Sequence, residues 1–186
     1  MSERSRWDAY YSQNAERSPG EPSRWVLERA LSLPLRGLVL DLASGRGRHA
    51  LPLATAGRRV VALDIAVDAV RVAARSGALG VVADAGAMPL RDESVDAILC
   101  VNFLDRALFT HLSAYLRRGG SLIAETFTTS QRKLGRGPTS AAHLLEPGEL
   151  PRLVAPLTVR EYFEGLVEDE GAGAIRYVAR VVAVKR

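Results

Sequence analysis

The sequence has little cysteine and lysine, few aromatic residues and no long apolar run. One cysteine in 186 residues excludes an internal disulfide framework, and no CxxC or histidine-rich spacing indicates zinc, so we predict no metal. We interpret Cys100 as a small buried hydrophobic residue. Charges interrupt every apolar stretch before the ~20 residues that cross a bilayer. The first residues also lack the apolar core of a signal peptide. We therefore expect a cytoplasmic protein with no membrane partner.

The basic charge does not indicate a nucleic-acid partner. The net charge is +4, but lysine occurs only at positions 133 and 185, and the arginines are scattered along the chain. An aromatic content of 6% leaves few rings on which bases could stack. Nucleic acid is thus disfavoured as a ligand, and we expect a monomer or homodimer that acts on a small molecule.

Strands and helices alternate through the first two thirds of the sequence. Apolar runs predict strands at 37–42, 60–63, 79–83, 95–101 and 121–126. Helices are predicted at 47–56 and 66–75, and a third over Leu104, Leu108, Leu112 and Leu116, ending at 117–120. Two further helices, 6–13 and 22–33, precede the first strand, with Pro22 at a first helical position. This alternation indicates crossover units and a mostly parallel sheet.

The C-terminal third departs from this alternation. Strands are predicted at 157–163 and 174–184, joined by the glycine-rich acidic stretch 168–173 with no helix between them, so they must be antiparallel. We predict a doubly wound α/β fold in which a mostly parallel, seven-stranded sheet ends in an antiparallel hairpin. It forms one domain, 1–186, with a helical cap (1–36), a core (37–127), and a lid segment with the hairpin (128–186).

The segment from Asp41 to Gly47 (DLASGRG) is a glycine turn between the first strand and the first helix. Open α/β sheets bind ligands at this position, where glycine lets the backbone approach closely. Residues 45–50 also match a dinucleotide fingerprint, so an NAD-dependent oxidoreductase is an alternative. However, Asp41 would repel a diphosphate and would instead favour an α-amino group or a sulfonium.

Two more acids follow the next two strands. Asp64 ends the second strand, where a carboxylate can accept from both ribose hydroxyls, and Asp84 follows the third, where it can accept from an adenine amino group. Ala85 and Met88 would then pack on the adenine ring. Helix caps and turns would explain each acid separately, but acids at three successive strand ends indicate one ligand crevice.

These motifs, together with residues 92–96 (DESVD), resemble the class I S-adenosylmethionine-dependent methyltransferases over about residues 38–127. In that family the first acid and the glycine turn serve the methionine part of the cofactor, the second acid the ribose and the third the adenine. Ala43 departs from the pattern, since most members have glycine there. The resemblance implies S-adenosylmethionine as cofactor, bound by Asp41, Ala43, Ser44, Gly45, Gly47, Arg48, Asp64, Ile65, Asp84, Ala85, Asn102, Phe103, Trp7 and Tyr11.

More narrowly, residues 7–11 (WDAYY), 45–49 (GRGRH) and 102–106 (NFLDR) are similar to the tellurite-resistance-type methyltransferases. This implies methyl transfer to a small acceptor, such as a thiol or a chalcogen oxyanion. We predict Glu125 as a base or ligand-positioning group, Arg106 as an anion clamp, and His143 as a catalytic residue on a mobile lid, 128–143. A non-catalytic S-adenosylmethionine-binding protein is the remaining alternative.

Overall fold

The computed structural model describes residues 2–34, 36–75, 77–169 and 174–186, and the chain divides into two compact units. The units are Met1–Arg91 and Asp92–Arg186. The predicted loop at 168–173 lies mostly outside the described residues.

The first unit holds three parallel strands and the helices that connect them. β2 lies between β1 and β3 and is parallel to both. Leu40, Leu42 and Leu63 are fully buried, as expected of parallel strands that are covered on both faces. The elements are α1 (Glu3–Gln13), α2 (Arg24–Ser32), β1 (Leu38–Leu42), α3 (Ala50–Thr55), β2 (Arg59–Asp64), α4 (Val67–Ala74) and β3 (Leu79–Val82), followed by a 3₁₀ turn at Ala85–Ala87.

The second unit contains the remaining four strands. β4 pairs in parallel with β5, β5 is antiparallel to β7, and β7 is antiparallel to β6. The elements are β4 (Val95–Val101), α5 (Arg106–Phe109), α6 (Leu112–Tyr115), β5 (Leu116–Phe127), α7 (Leu150–Leu153), β6 (Thr158–Asp169) and β7 (Ala174–Val184), with 3₁₀ turns at Thr129–Leu134 and Ala141–His143.

The predicted fold class is confirmed. The seven strands are ordered β3-β2-β1-β4-β5-β7-β6 in one sheet, and the C-terminal strands run antiparallel. The chain therefore has the Rossmann-like methyltransferase fold. Among the described residues, no helix is long and apolar enough to cross a membrane.

The predicted leucine helix over 104–116 is wrong. It is replaced by two four-residue helices, α5 and α6, and β5 already begins at Leu116. The backbone of residues 116–120 is used in the sheet: Leu116 pairs with Val95, the Gly119 N–H donates to the Lys185 carbonyl, and the Lys185 N–H donates to the Gly120 carbonyl. The leucine spacing reflects burial, because Leu104, Leu108, Leu112 and Leu116 are all buried, although only Leu108 and Leu112 lie in the two short helices.

Helix α1 begins three residues earlier than predicted, at Glu3, and α2 and α3 begin later than predicted. α2 begins at Arg24 with Ser23 as its N-cap, so Pro22 lies outside the helix. α3 begins at Ala50 and not at residue 47, because Gly47 has a left-handed φ of +79° that a helix cannot include. Capping chemistry and backbone conformation, which composition alone does not reveal, set both boundaries.

Candidate cofactor site

The glycine turn after β1 contains three residues with positive φ. Gly45 and Gly47 have φ values of +54° and +79°, and Ala43 has +52°. A Cβ on Gly47 would lie 2.8 Å from the Ala73 Cβ on α4, so no side chain fits there. Glycine is favoured at positions with positive φ. Ala43 has such a φ, which explains why glycine is usual at this position.

Asp41 is a buried carboxyl group at the end of β1. Its Oδ2 accepts a hydrogen bond of 3.1 Å from the N–H of Ala50, the first residue of α3. Burial raises the pKa of Asp41 to about 7, although Arg48 and the Ala50 hydrogen bond act in the opposite direction. A cation bound beside this carboxyl would stabilise its ionised form and lower its pKa.

Asp64 connects the glycine turn to the start of α4. Its Oδ2 accepts from the Gly45 N–H (2.8 Å), and its Oδ1 accepts from the Ala66 N–H (2.9 Å). Burial raises the pKa of Asp64, and backbone hydrogen bonds from Ala66, Gly45 and Ile65 oppose that rise. A carboxylate has about four acceptor positions, so this one can also accept from ligand hydroxyls.

Several backbone N–H groups in the turn and at the start of α3 are hydrogen-bonded within the chain. Gly45 donates to Asp64, Gly47 donates to the Ser44 carbonyl (3.0 Å), and Ala50 donates to Asp41. A dinucleotide site uses such N–H groups to bind a diphosphate. Here two carboxylates accept from them instead, which argues against the dinucleotide alternative.

Asp84 lies after β3, as predicted, and caps the following 3₁₀ turn. Its Oδ1 accepts from the Gly86 N–H (2.8 Å), and the side chain is exposed. Asp84 is thus a turn cap in this structure, and the same carboxylate is available to solvent. Ala85 is half-buried, and Met88, three residues later, is buried.

Helix α1 brings Tyr11 to the glycine turn. The Tyr11 hydroxyl lies 2.7 Å from the position that a Cβ on Gly45 would occupy, and burial together with Asp64 raises the pKa of Tyr11 to about 12. Trp7 packs against Tyr10 and Tyr11, with ring centroids 5.6 and 6.0 Å away. The structure therefore brings together Asp41, Gly45, Asp64 and Tyr11 from four separate elements.

Sequence reasoning missed Arg46, the residue between the two glycines. It is 8% exposed, and its guanidinium donates to the carbonyls of Tyr11 (2.9 Å), Ala15 (3.2 Å) and Arg17. The last turn of α1 contains no basic residue of its own. That absence was a signal that a cation from elsewhere could stabilise the negative end of this helix.

In the second unit, Glu125 is fully buried in β5 and is held by two arginines of β7. Its Oε2 accepts from Arg180 Nε (2.6 Å), and its Oε1 lies 3.4 Å from Arg176 Nη2. Both carboxylate oxygens thus face guanidinium groups of the neighbouring strand. This geometry favours a positioning or structural role over that of a base.

Arg106 pairs with Glu149. Its Nε and Nη2 donate to the two Glu149 oxygens (2.5 and 2.9 Å), and Nη2 also donates to the Leu144 carbonyl (2.9 Å). This hydrogen-bonded pair lowers the pKa of Glu149 and raises that of Arg106. Arg106 therefore fixes the segment before α7, and a role as an anion clamp would require it to exchange these partners.

Asn102 and Phe103 follow β4. Asn102 has a φ of +56°, is exposed, and donates its N–H to the Glu125 carbonyl (2.8 Å). Phe103 is half-buried, and its carbonyl lies 3.8 Å from the Sγ of Cys100, which is buried. Left-handed non-glycine residues often occur at functional strand ends.

The predicted lid, 128–143, is tied to β7 at its first half. Gln131 is buried, and its side chain accepts from the Tyr177 N–H (2.8 Å) and donates to the Arg136 carbonyl (2.9 Å). Arg136 donates to the Ile175 carbonyl. His143 is exposed at the end of the second 3₁₀ turn. A lid motion that leaves these bonds intact is confined to residues after 136.

Comparison with known proteins agrees with this geometry. Residues 40–124 match the family model described as a methyltransferase domain. Among curated proteins, none matches the chain. Of the solved structures, a chain from the complex between the Haloferax volcanii Trm112 methyltransferase activator and its proposed methyltransferase is 16% identical, with a TM-score of 0.75, over 98% of this chain and 97% of that one.

Two further structures are similar. TehB from Haemophilus influenzae is 18% identical, with a TM-score of 0.70, over 97% of this chain and 67% of that one. A protein whose structure concerns the conversion of a disulfide bond into a thioacetal group in echinomycin biosynthesis is 24% identical, with a TM-score of 0.72, over 97% of this chain and 90% of that one. At these sequence identities, the structural similarity shows a shared fold and nothing more specific.

Together, the match over residues 40–124 and the strand order show that the protein contains a methyltransferase domain with the Rossmann-like methyltransferase fold. It is an S-adenosylmethionine-dependent enzyme, and the two acids at the glycine turn fit a cofactor that carries a cation and a ribose.

Proposed function

We propose that this enzyme methylates a small-molecule acceptor and that the acceptor is a soft nucleophile, a thiol or a chalcogen oxyanion. The choice of cofactor rests on the pair of carboxylates at the glycine turn, where Asp41 is buried and Asp64 accepts from the Gly45 N–H. Such a turn suits a cationic amino acid and a ribose better than a diphosphate.

The cofactor supplies a methyl group that is already activated on a sulfonium. The chain then has to hold and orient it. We assign Asp41 to the α-amino group and Asp64, with Ile65, to the ribose, while Asp84 and Ala85 face the adenine. Ala43, Ser44, Gly45, Gly47 and Arg48 would line the methionine part, and Trp7 and Tyr11 would contact the cofactor from outside the turn.

The acceptor class follows from what the candidate base does. Glu125 is fully buried, with Arg180 hydrogen-bonded to one oxygen and Arg176 facing the other, so it is better placed to hold β5 and β7 together than to reach an acceptor. An acceptor that is already anionic, such as a thiolate, requires no base, and alignment with the methyl group can then supply most of the acceleration. The fold shared with the structure that concerns conversion of a disulfide bond into a thioacetal group is compatible with a sulfur acceptor.

The cofactor half is tested by calorimetric titration with S-adenosylmethionine, S-adenosylhomocysteine and NAD. We expect both adenosyl ligands to bind and NAD not to bind. Asp64→Ala should abolish binding, while Asp68→Ala, which removes a half-buried acid of α4 that pairs with Arg71, should bind like the wild type. Binding of NAD alone would overturn the assignment.

The acceptor half is tested separately. The enzyme is incubated with labelled S-adenosylmethionine and small thiols, selenite or tellurite, and volatile methylated products are identified by mass spectrometry. Transfer to at least one of these acceptors supports the proposal. Tight cofactor binding with no transfer to any soft nucleophile overturns it and leaves a different acceptor or the non-catalytic alternative.

A further inference from the structure

We propose that Arg46 is a positioning residue that holds helix α1 on the glycine turn and thereby slows cofactor release. The inference rests on the proposed placement of S-adenosylmethionine at that turn. It concerns only the first unit of the chain, in which Arg46, Tyr11 and Gly45 all lie.

Apolar burial does little to hold α1. None of its residues Glu3–Gln13, all of which are described, is buried, and Tyr10 is 45% exposed. Since a helix of this length is marginal without tertiary packing, specific polar contacts must keep it in place. One such contact is the Oδ1 of Asp8, which accepts from the N–H of Val67 at the start of α4 (3.2 Å).

Arg46 provides a second contact, at the C-terminal end of α1. Its guanidinium donates to the carbonyls of Tyr11, Ala15 and Arg17, which lie in the last turn of the helix and just after it. Carbonyls at a helix end lack intrahelical partners and carry partial negative charge. A mostly buried guanidinium with several donors fits them well, and charge-assisted bonds are the stronger kind.

Tyr11 is the residue that this arrangement places on the turn. The Arg46 Cζ lies 5.5 Å from the centroid of the Tyr11 ring, and the Tyr11 hydroxyl lies against Gly45. The Tyr11 side chain thus covers the backbone of Gly45, while the Tyr11 backbone carbonyl accepts a hydrogen bond from Arg46. A ligand that enters or leaves beside Gly45 must displace Tyr11, and Arg46 resists that displacement.

The test compares Arg46→Met with Arg71→Met, which removes an exposed arginine of α4 and serves as the control. Arg46→Met removes three charge-assisted bonds, and the loss of even one of them predicts about a tenfold effect. We expect trypsin to cleave after Arg6 and Arg17 about tenfold faster in Arg46→Met, and S-adenosylhomocysteine to dissociate faster by a similar factor. Arg46→Lys keeps the charge but not the planar fork, so its values should be intermediate.

Unchanged cleavage and dissociation rates in Arg46→Met would overturn the proposal. If that variant does not fold, Arg46→Lys decides the question, because it keeps the buried charge and removes only the planar fork that reaches several carbonyls. It should also speed both processes, and wild-type rates would reject the idea. If the proposed function is wrong, the wild type does not bind S-adenosylhomocysteine. That result would also overturn the claim that Arg46 slows cofactor release. The proteolysis measurement would still decide whether Arg46 holds α1.

Discussion

The Asp64 carboxylate accepts a hydrogen bond of 2.8 Å from the Gly45 N–H, 19 residues away in sequence. Asp64 thus helps to hold the glycine turn that follows Asp41, and the two acids form a single site. A substitution at Asp64 therefore acts both on the ligand site and on the turn that forms it.

Replacing Asp64 with asparagine should separate these two effects. The amide oxygen can still accept from one backbone N–H, so we expect a loss of about 1–2 kcal/mol in unfolding free energy. Affinity for S-adenosylhomocysteine should fall about tenfold or more, because a charged acceptor for ribose hydroxyls is lost. Chemical denaturation and calorimetry measure the two quantities. Unchanged affinity would show that Asp64 serves only the turn.

Asp41 should make stability depend on pH. Its pKa is raised to about 7 in the folded state, above its ordinary value of 3.8, so the folded state binds the extra proton between those values. Stability therefore falls as pH rises from about 4 to 7, by at most about 1.4 kcal/mol per pH unit.

Asp41→Asn should flatten that slope, as measured by urea denaturation across the pH range. A slope equal to that of the wild type would contradict the burial argument. In the wild type, affinity for S-adenosylmethionine should increase as pH rises through 7, since the ionised carboxylate attracts the α-amino group. Asp41→Asn should lack this increase as well.

Ala43 should tolerate glycine but not a β-branched residue. At a φ of +52°, alanine is already strained, and valine would be strained further. We expect Ala43→Val to lower the unfolding free energy by roughly 1–3 kcal/mol. Ala43→Gly should change it little, because relief of strain and the greater freedom of the unfolded chain oppose each other. Equal thermal stability of the two variants would show that the turn adapts.

Removing the Glu125 side chain should destabilise the fold. Glu125→Ala leaves Arg180 and Arg176 without their shared carboxylate, and breaking a buried pair costs roughly 3–5 kcal/mol. Glu125→Gln should fold better and keep the pH profile of methyl transfer to a thiol. If Glu125→Gln folds normally but loses turnover together with one limb of that profile, Glu125 is a base after all.

Much of the fold was predictable because its signals are local. The apolar run at 95–101 matches β4 at both ends, and the hairpin followed from two strands with no helix between them. The leucine helix failed for a physical reason: spacing records which residues are buried but not which partner their backbone binds. For Leu116 that partner is β4.

The sequence itself determined the order of strands and helices along the chain, the glycine turn and the acids at the strand ends. Turn chemistry and burial patterns act over only a few residues. Contacts between distant segments were decided only in the tertiary structure. Arg46 meets carbonyls about 30 residues away, and Glu125 meets Arg180 across two antiparallel strands. A long, flexible side chain can reach many partners, and only the folded backbone determines which carbonyl or carboxylate it meets.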